Sequence, residues 1–361
     1  MLKSFVKSNI HLNKQRLFGL GLILLTTVVL GACGQGGFKA TVADSTEKGT
    51  GTPRPNEPET DLSICSQLSL KGVTWPSIAH IEKRSLALGL NISGSFEGSL
   101  GWKNITNNFD GQGLSLGLLN QCLGQGSLQP LLVKFRDRAS GSLTELMSSA
   151  HRSSLLGMLT KWEGAQKLTS ASVSDGSGDL LPDGRLSLLD ELPDGSDGRG
   201  SEESASGDSV AWAKSALYTD GGTTFVSSWK KELQALSSHS GFVSIQIEAA
   251  MKLHTKTLSY MKTLGLREVR SYLMMFDICV QNGGLYQDDI DQFKKVYPAA
   301  SGSEESRLRK ILELRVRHVV AKYKNDVIAR KTSIIVGKGV VHQTNRAYET
   351  EYCYDGGSTL L

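Results

Sequence analysis

Two adjoining stretches constrain this chain more than any other feature. The first is an apolar run that ends on Glu97, and the second is a glycine-rich turn that opens on Asp110. Residues 77–96 place Ile78, Ile81, Leu86, Leu88, Leu90 and Ile92 at helical spacing, and Gly94 predicts the helix end. Residues 113–119 alternate small or polar with apolar positions, as a strand does, between bounding glycines. A helix with one apolar stripe and a short strand must bury their faces against other elements. A Glu and an Asp held across one cleft are also the minimum equipment for hydrolysing a glycosidic bond. One must be protonated to help the leaving oxygen depart, and the other must stay ionised to activate water. Phe96 beside Glu97 would desolvate that carboxyl and raise its pKa. The backbone NH groups of Gly111, Gln112 and Gly113 would keep Asp110 ionised, and the Ser115 hydroxyl would hold a water. Taken without context, a glycine-flanked Asp is more often a turn former.

Further helices are expected at 128–135, 141–150, Lys230–Leu236, Ser244–Leu266, Glu268–Asn282, Asp288–Tyr297 and Ser303–Thr332. The last carries Arg307, Arg309, Lys310, Arg315, Arg317, Lys322 and Lys324. Such a run forms a solvated helix face more often than a polymer-binding stripe. Residues 174–208 break the pattern with ten acids against two bases and repeated Asp-Gly steps. A calcium loop fails there, because Leu180 stands where the required Gly should be. An acidic low-complexity insert is the better reading. No Cys or His spacing suggests a metal site, and no cofactor is expected.

The first thirty-three residues read as an address. Lys3, Lys7, Lys14 and Arg16 form a basic segment, an apolar run follows from Leu17 to Val29, and it closes on Leu30-Gly31-Ala32-Cys33. This ending resembles the lipobox of bacterial lipoproteins, which implies a signal peptide over 1–33 and lipidation at Cys33. Gly34 gives no inner-membrane retention signal, so an outer-membrane lipoprotein facing the periplasm, or one at the cell surface, is expected. Residues 34–61 are rich in Gly, Thr, Pro, Lys and Glu and form a flexible tether, leaving 62–361 as the domain. The chain holds 40 basic and 36 acidic residues. Once the leader is gone and the acidic insert is set apart, the body is basic, which suits an anionic polymer. Nucleic acid would fit that charge, but an export signal argues against it. Besides Cys33 the chain has Cys65, Cys122, Cys279 and Cys353, enough for two disulfides with three possible pairings. Cys65 and Cys353 lie near the domain's two ends and are favoured as one pair.

Four segments occur in one order: Ser95-Phe-Glu-Gly98, Asp110-Gly-Gln-Gly-Leu-Ser-Leu-Gly117, Gly124-Gln-Gly126 and Phe276-Asp-Ile-Cys-Val-Gln-Asn-Gly-Gly284. Together they resemble the family 46 chitosanases and their lysozyme-like bacterial relatives, from about residue 80 to 350 without the insert. The resemblance implies an α+β class, mainly helical, with a two-lobed lysozyme-like fold and a small sheet at the cleft. It also implies Glu97 as general acid, Asp110 as general base and Ser115 as the residue that positions the attacking water. The segment from Phe276 to Gly284 is then a second-lobe helix lining the cleft. Gln112, Ser127, Gln281 and Asn282 are candidate substrate contacts by the same likeness, with His342 and Asn345 in its later motifs.

Three departures bear on substrate. The interval from Glu97 to Asp110 is several residues shorter than in chitosanases, which alters the lip of the cleft. Ser127 stands where chitosanases carry an amine-binding Asp. Asn120-Gln121-Cys122 stands where the lysozyme-like relatives read Gln-Trp-Asn, so an aromatic platform is lost. The expected function is cleavage of the peptidoglycan glycan strand by a monomeric hydrolase with inversion. Chitosanase-like cleavage of de-N-acetylated glycan is the first alternative. A non-catalytic wall-binding lipoprotein is the second.

Overall fold

The computed structural model describes residue 68 and residues 72–173, 205–298 and 301–360. The leader, Cys33, the tether and insert residues 174–204 lie outside the described residues. Among the described residues no helix is long and apolar enough to cross a membrane. The domain is mainly helical with a small antiparallel sheet.

Helix α1 spans His80–Glu97. Glu82 accepts a hydrogen bond from the Ala79 backbone NH at 3.2 Å, which satisfies one of the donors left open before the first turn. Leu86, Leu90, Ile92 and Phe96 point inward and are at most 2% exposed. Gly94 does not end the helix, contrary to expectation. It sits inside it, because Leu118 presses so close that a Cβ at Gly94 would meet its Cδ1 at 2.4 Å. The glycine records a close crossing rather than a stop.

Strands β1 (Ile105–Thr106), β2 (Ser115–Leu116) and β3 (Gln121–Cys122) form a three-stranded antiparallel sheet in sequence order. Ser115 pairs with Thr106 on one side and Cys122 on the other. The strand expected over 113–119 is therefore shorter, but its hairpin continues irregularly. Leu123 NH donates to Leu114 O and Gly124 NH to Gln112 O, each at 3.0 Å.

Helices α2 (Gln129–Arg138), α3 (Ser140–Leu146), α4 (Ser149–Val173), α5 (Ala205–Ala216) and α6 (Ser227–Ser238) follow. The expected insert thus ends at least four residues early, since Ala205 opens a helix. Then come α7 (Ser240–Leu264), α8 (Val269–Asn282), α9 (Gln287–Val296), α10 (Glu304–Val316) and α11 (Lys324–Val336). The single helix expected over 303–332 is split between α10 and α11 by residues 317–323. A hairpin of β4 (Lys338–Val341) and β5 (Thr344–Ala347) and a short α12 (Tyr348–Tyr352) complete the described fold.

Two apolar cores result. One gathers α1, α8, α10, α11 and one face of α7, and the other gathers the β2 side of the sheet, α2 to α6 and another face near the start of α7. Helix α7 serves both, with Phe242 and Ile245 in one and Val243, Ile247 and Ala250 in the other. The sheet is shared in the same way, since Leu116 joins one core and Leu118 the other.

The basic run of α10 is largely consumed inside the fold. Arg307 donates to the carbonyl oxygens of Leu264 and Gly265 at the end of α7, and Arg315 to Asn282 O at the end of α8. Cations placed on helix C-terminal carbonyls complement their partial negative charge. Arg309, Lys310 and Arg317 pair with Glu305 or Glu313 on the same helix. Cys353 is disulfide-bonded, while Cys122 and Cys279 are free and buried. Cys65, the partner expected for Cys353, lies outside the described residues.

Candidate functional site

Glu97 is the last residue of α1, and its side chain retains 12% exposure. Consecutive helical residues point about 100° apart, and Phe96 turns into the core. Arg330 donates from Nη1 to Glu97 Oε1 at 2.9 Å, and Asn120 Nδ2 stands 3.4 Å from Oε2. The Phe96 ring is itself covered by guanidinium groups, with Arg330 at 4.6 Å and Arg346 at 5.7 Å from its centroid.

Behind Glu97 lies a buried charge chain. Arg330 Nη2 donates to Asp277 Oδ1 at 2.7 Å, and Lys331 Nζ donates to Asp277 Oδ2 at 2.6 Å. Asp277 and Lys331 have no exposed side-chain surface. Gln281 continues the chain, accepting from Lys331 and donating to Asp326 Oδ2 at 2.7 Å. Asp326 Oδ1 meets His342 Nε2 at 2.6 Å. Burial alone would push the Asp277 carboxyl up, but Arg330 and Lys331 outweigh it and hold the group well below the usual carboxylate range. Burial wins at Lys331, whose ammonium is pushed down to about 8. Glu97 is tied into this chain, because the arginine that contacts its carboxyl is itself bonded to the buried Asp277.

Asp110 occupies the other end of the sheet. It closes the 3-10 turn Asn108–Asp110 in the β1–β2 connection and is exposed. Its Oδ1 accepts from the Gln112 NH at 3.1 Å, so one of the backbone donors expected for it is present. The β2–β3 turn, whose Asn120 reaches Glu97, lies at the opposite end of the hairpin. Phe109 beside Asp110 is 49% exposed and offers an aromatic face there.

The other candidate residues are placed as follows. Ser115 is 6% exposed at the centre of the sheet. Gln112 closes the hairpin: its carbonyl accepts from Gly124, and its Oε1 lies 3.4 Å from Cys122 Sγ. Ser127 is engaged with the β3 backbone, accepting from Cys122 NH at 2.9 Å and donating to Cys122 O at 3.3 Å. Gln281 is held at both ends by the charge chain. Asn282 gives its carbonyl to Arg315. His342 joins the chain through Asp326, and Asn345 is exposed on β5 opposite Val340. The structure thus brings Gln281 and His342 to the Glu97 side, and Gln112 and Ser127 to Cys122. Among the described residues no group of three His, Cys, Asp or Glu could hold a metal ion.

Sequence reasoning missed Arg330, Lys331 and Asn120. A lone Asp277 within the apolar run 273–280 was the available signal, since a buried carboxylate must have a cationic partner. Which cations answer it depends on how α11 crosses α8. Asn120 adopts positive φ (49°), a conformation that Asn tolerates better than most residues. In comparison with known proteins, no family model matches the chain and no curated protein matches it.

Proposed function

We propose that the chain is a glycoside hydrolase that cleaves the glycan strand of peptidoglycan by single displacement with inversion. One observation carries the reading. Glu97 is held by the buried Arg330–Asp277–Lys331 chain at one end of a small sheet, while an exposed Asp110 stands at the other. In this mechanism Glu97 must carry a proton and release its ion pair with Arg330 before it donates to the glycosidic oxygen as the bond to the anomeric carbon breaks. Asp110 takes a proton from a water that attacks the same carbon from the opposite face. Inversion requires the two carboxyl groups to stand roughly 6.5–9.5 Å apart or more, which leaves room for that water. Ser115 is assigned to orient the water, and Phe109 replaces the missing aromatic platform as a face for the sugar ring.

We read the two apolar cores as the lobes of a lysozyme-like fold, with the shared sheet on the cleft between them. The Leu30–Cys33 ending supports an exported lipoprotein, anchored through Cys33 in the outer membrane toward the periplasm or at the cell surface. Its substrate is then within reach of the tether.

The test incubates the full chain and its Glu97→Gln and Asp110→Asn variants with purified sacculi, native and chemically de-N-acetylated. Released muropeptides are identified by mass spectrometry. Wild-type release from native sacculi is expected, with a loss of about 10²–10⁴-fold in Glu97→Gln. Release only after de-N-acetylation moves the substrate to chitosan-like glycan. Turnover by Glu97→Gln close to wild type would overturn the assignment, and binding without any release would mark a wall-binding protein.

A further inference from the structure

The Asp110 turn is not held by its own hydrogen bonds alone. A second loop, between α5 and α6, supports it from the side. Tyr218 and Phe225 form an isolated antiparallel bridge at the base of this loop. At its tip Asp220 gathers five donors. Oδ1 accepts from the backbone NH groups of Gly222 (3.1 Å), Thr223 (2.8 Å) and Thr224 (2.9 Å), while Oδ2 accepts from the Thr223 hydroxyl and from the Thr224 hydroxyl at 2.7 Å. Hydrogen bonds to an ionised carboxylate are shorter and stronger than neutral ones, so the loop takes its shape around this one group. The Thr223 hydroxyl bond, then the other bonds of Thr224 and Thr223, hold the Asp220 carboxyl well below the usual carboxylate range.

Two carbonyl oxygens of the loop accept from the Asp110 turn. Asn108 NH donates to Gly222 O at 3.0 Å, and Asn107 Nδ2 donates to Thr223 O at 2.6 Å. These two residues build the turn. Asn107 Oδ1 accepts from Phe109 NH at its start, and Asn108 Oδ1 accepts from Gly113 NH at 2.6 Å across it. Tyr218 OH donates to Gly113 O at 2.6 Å. The fit leaves little slack: a Cβ at Gly222 would lie 3.1 Å from Asn108 Nδ2, and one at Gly113 would lie 3.0 Å from Val210 Cα.

We propose that Asp220 is a positioning residue: it holds the α5–α6 loop rigid against Asn107 and Asn108 and so fixes where Asp110 stands relative to the substrate. The role rests on the reading of Asp110 as general base. A base on an exposed turn needs such support, since a displacement of about 1 Å in a reacting group can cost on the order of 10²-fold in rate. Asp220 touches no substrate. It acts through Gly222 and Thr223.

The test uses the full chain with Asp220→Ala, Asp220→Asn and Asp110→Asn. Hydrogen exchange of residues 107–113 is measured first and needs no substrate. Asp220→Ala should speed exchange there at least about 10-fold while α8 keeps its protection. Kinetics on sacculi should then show kcat reduced by about 10²-fold with KM little changed. Asp220→Asn, which retains an acceptor for the three NH groups, should recover most of that loss. Unchanged exchange at 107–113 in Asp220→Ala overturns the proposal. So does wild-type kcat in Asp220→Ala when Asp110→Asn is inactive, or a loss that Asn fails to rescue alongside exchange that rises throughout the domain. If the exchange effect is present but wild type cleaves neither form of sacculus, the hydrolase reading fails, and with it the assignment of Asp220 to a base.

Discussion

Asp277 decides the chemistry of its neighbourhood with a single side chain. It has no exposed surface and binds two cations that are adjacent in sequence, Arg330 and Lys331. Its pH behaviour follows from linkage. The folded carboxyl titrates below its unfolded value of about 4, so the stabilisation is complete above that value and is lost as pH falls below it. Asp326 is displaced in the same direction, because its bond to His342 and nearby Arg330 outweigh the burial that opposes them. Lys331 has the opposite sign. Burial depresses it to about 8, so a penalty for its buried charge is present in full below that value. The penalty is relieved as pH rises toward the unfolded lysine value of about 10.4. Thermal midpoints should therefore drop between pH 5 and 3. Over the alkaline interval the relief at Lys331 is opposed by the Cys122 and Cys279 thiols, which burial pushes up, so that they keep protons the unfolded chain loses there. Midpoints that hold level between pH 5 and 3 would contradict the burial of Asp277 as a carboxylate.

At the scale of elements, the geometry of Glu97 depends on how closely α1 approaches its neighbours. Gly89 faces the Phe276 ring of α8, with a would-be Cβ contact of 3.0 Å, and Gly94 faces Leu118 at 2.4 Å. The second distance leaves no room for even a methyl group. Gly94→Ala should destabilise the domain by about 1–3 kcal/mol, because overpacking forces a backbone shift that outweighs the gain in helix propensity. Urea unfolding measures the change, and a stabilised variant would show that α1 and the β2–β3 turn are looser than described. This crossing explains why a glycine in a helical pattern was read as a stop. The apolar period of α1, and its type as a helix, were legible, but the partner that demands a glycine lies twenty-four residues away at Leu118. The same limit applies to α10 and α11. Their apolar stripes are continuous in pattern, and the break at 317–323 contains neither Gly nor Pro. The basic run of α10 likewise gave no hint that Arg307 and Arg315 reach the ends of α7 and α8.

At the scale of the whole molecule, helix α7 joins two apolar cores, and the free thiols report on both. Cys122 lies in the sheet and Cys279 on α8, both buried, while Cys353 is disulfide-bonded. Without reductant, a thiol reagent should label neither Cys122 nor Cys279 in the native protein, and both once denaturant is added. Cys353 should stay unlabelled throughout. Native labelling of Cys279 would mean that the α1–α8 core opens on the timescale of the reaction.

The sequence by itself determined most of the long helices and a short strand after the glycine turn, because those depend on local periodicity and turn chemistry, while the mainly helical class was what the resemblance implied. It also brought Glu97 and Asp110 forward as a pair, since a carboxyl at a helix end and one in a glycine turn stand out without any contact map. Only the tertiary structure decided what surrounds them. That Glu97 bonds Arg330, that Asp277 binds Arg330 and Lys331, and that a loop organised by Asp220 supports the Asp110 turn are all long-range pairings. They span from fifty to more than two hundred residues, and electrostatic and hydrogen-bonding partners at such separations are chosen by how helices and loops cross, which no local pattern encodes.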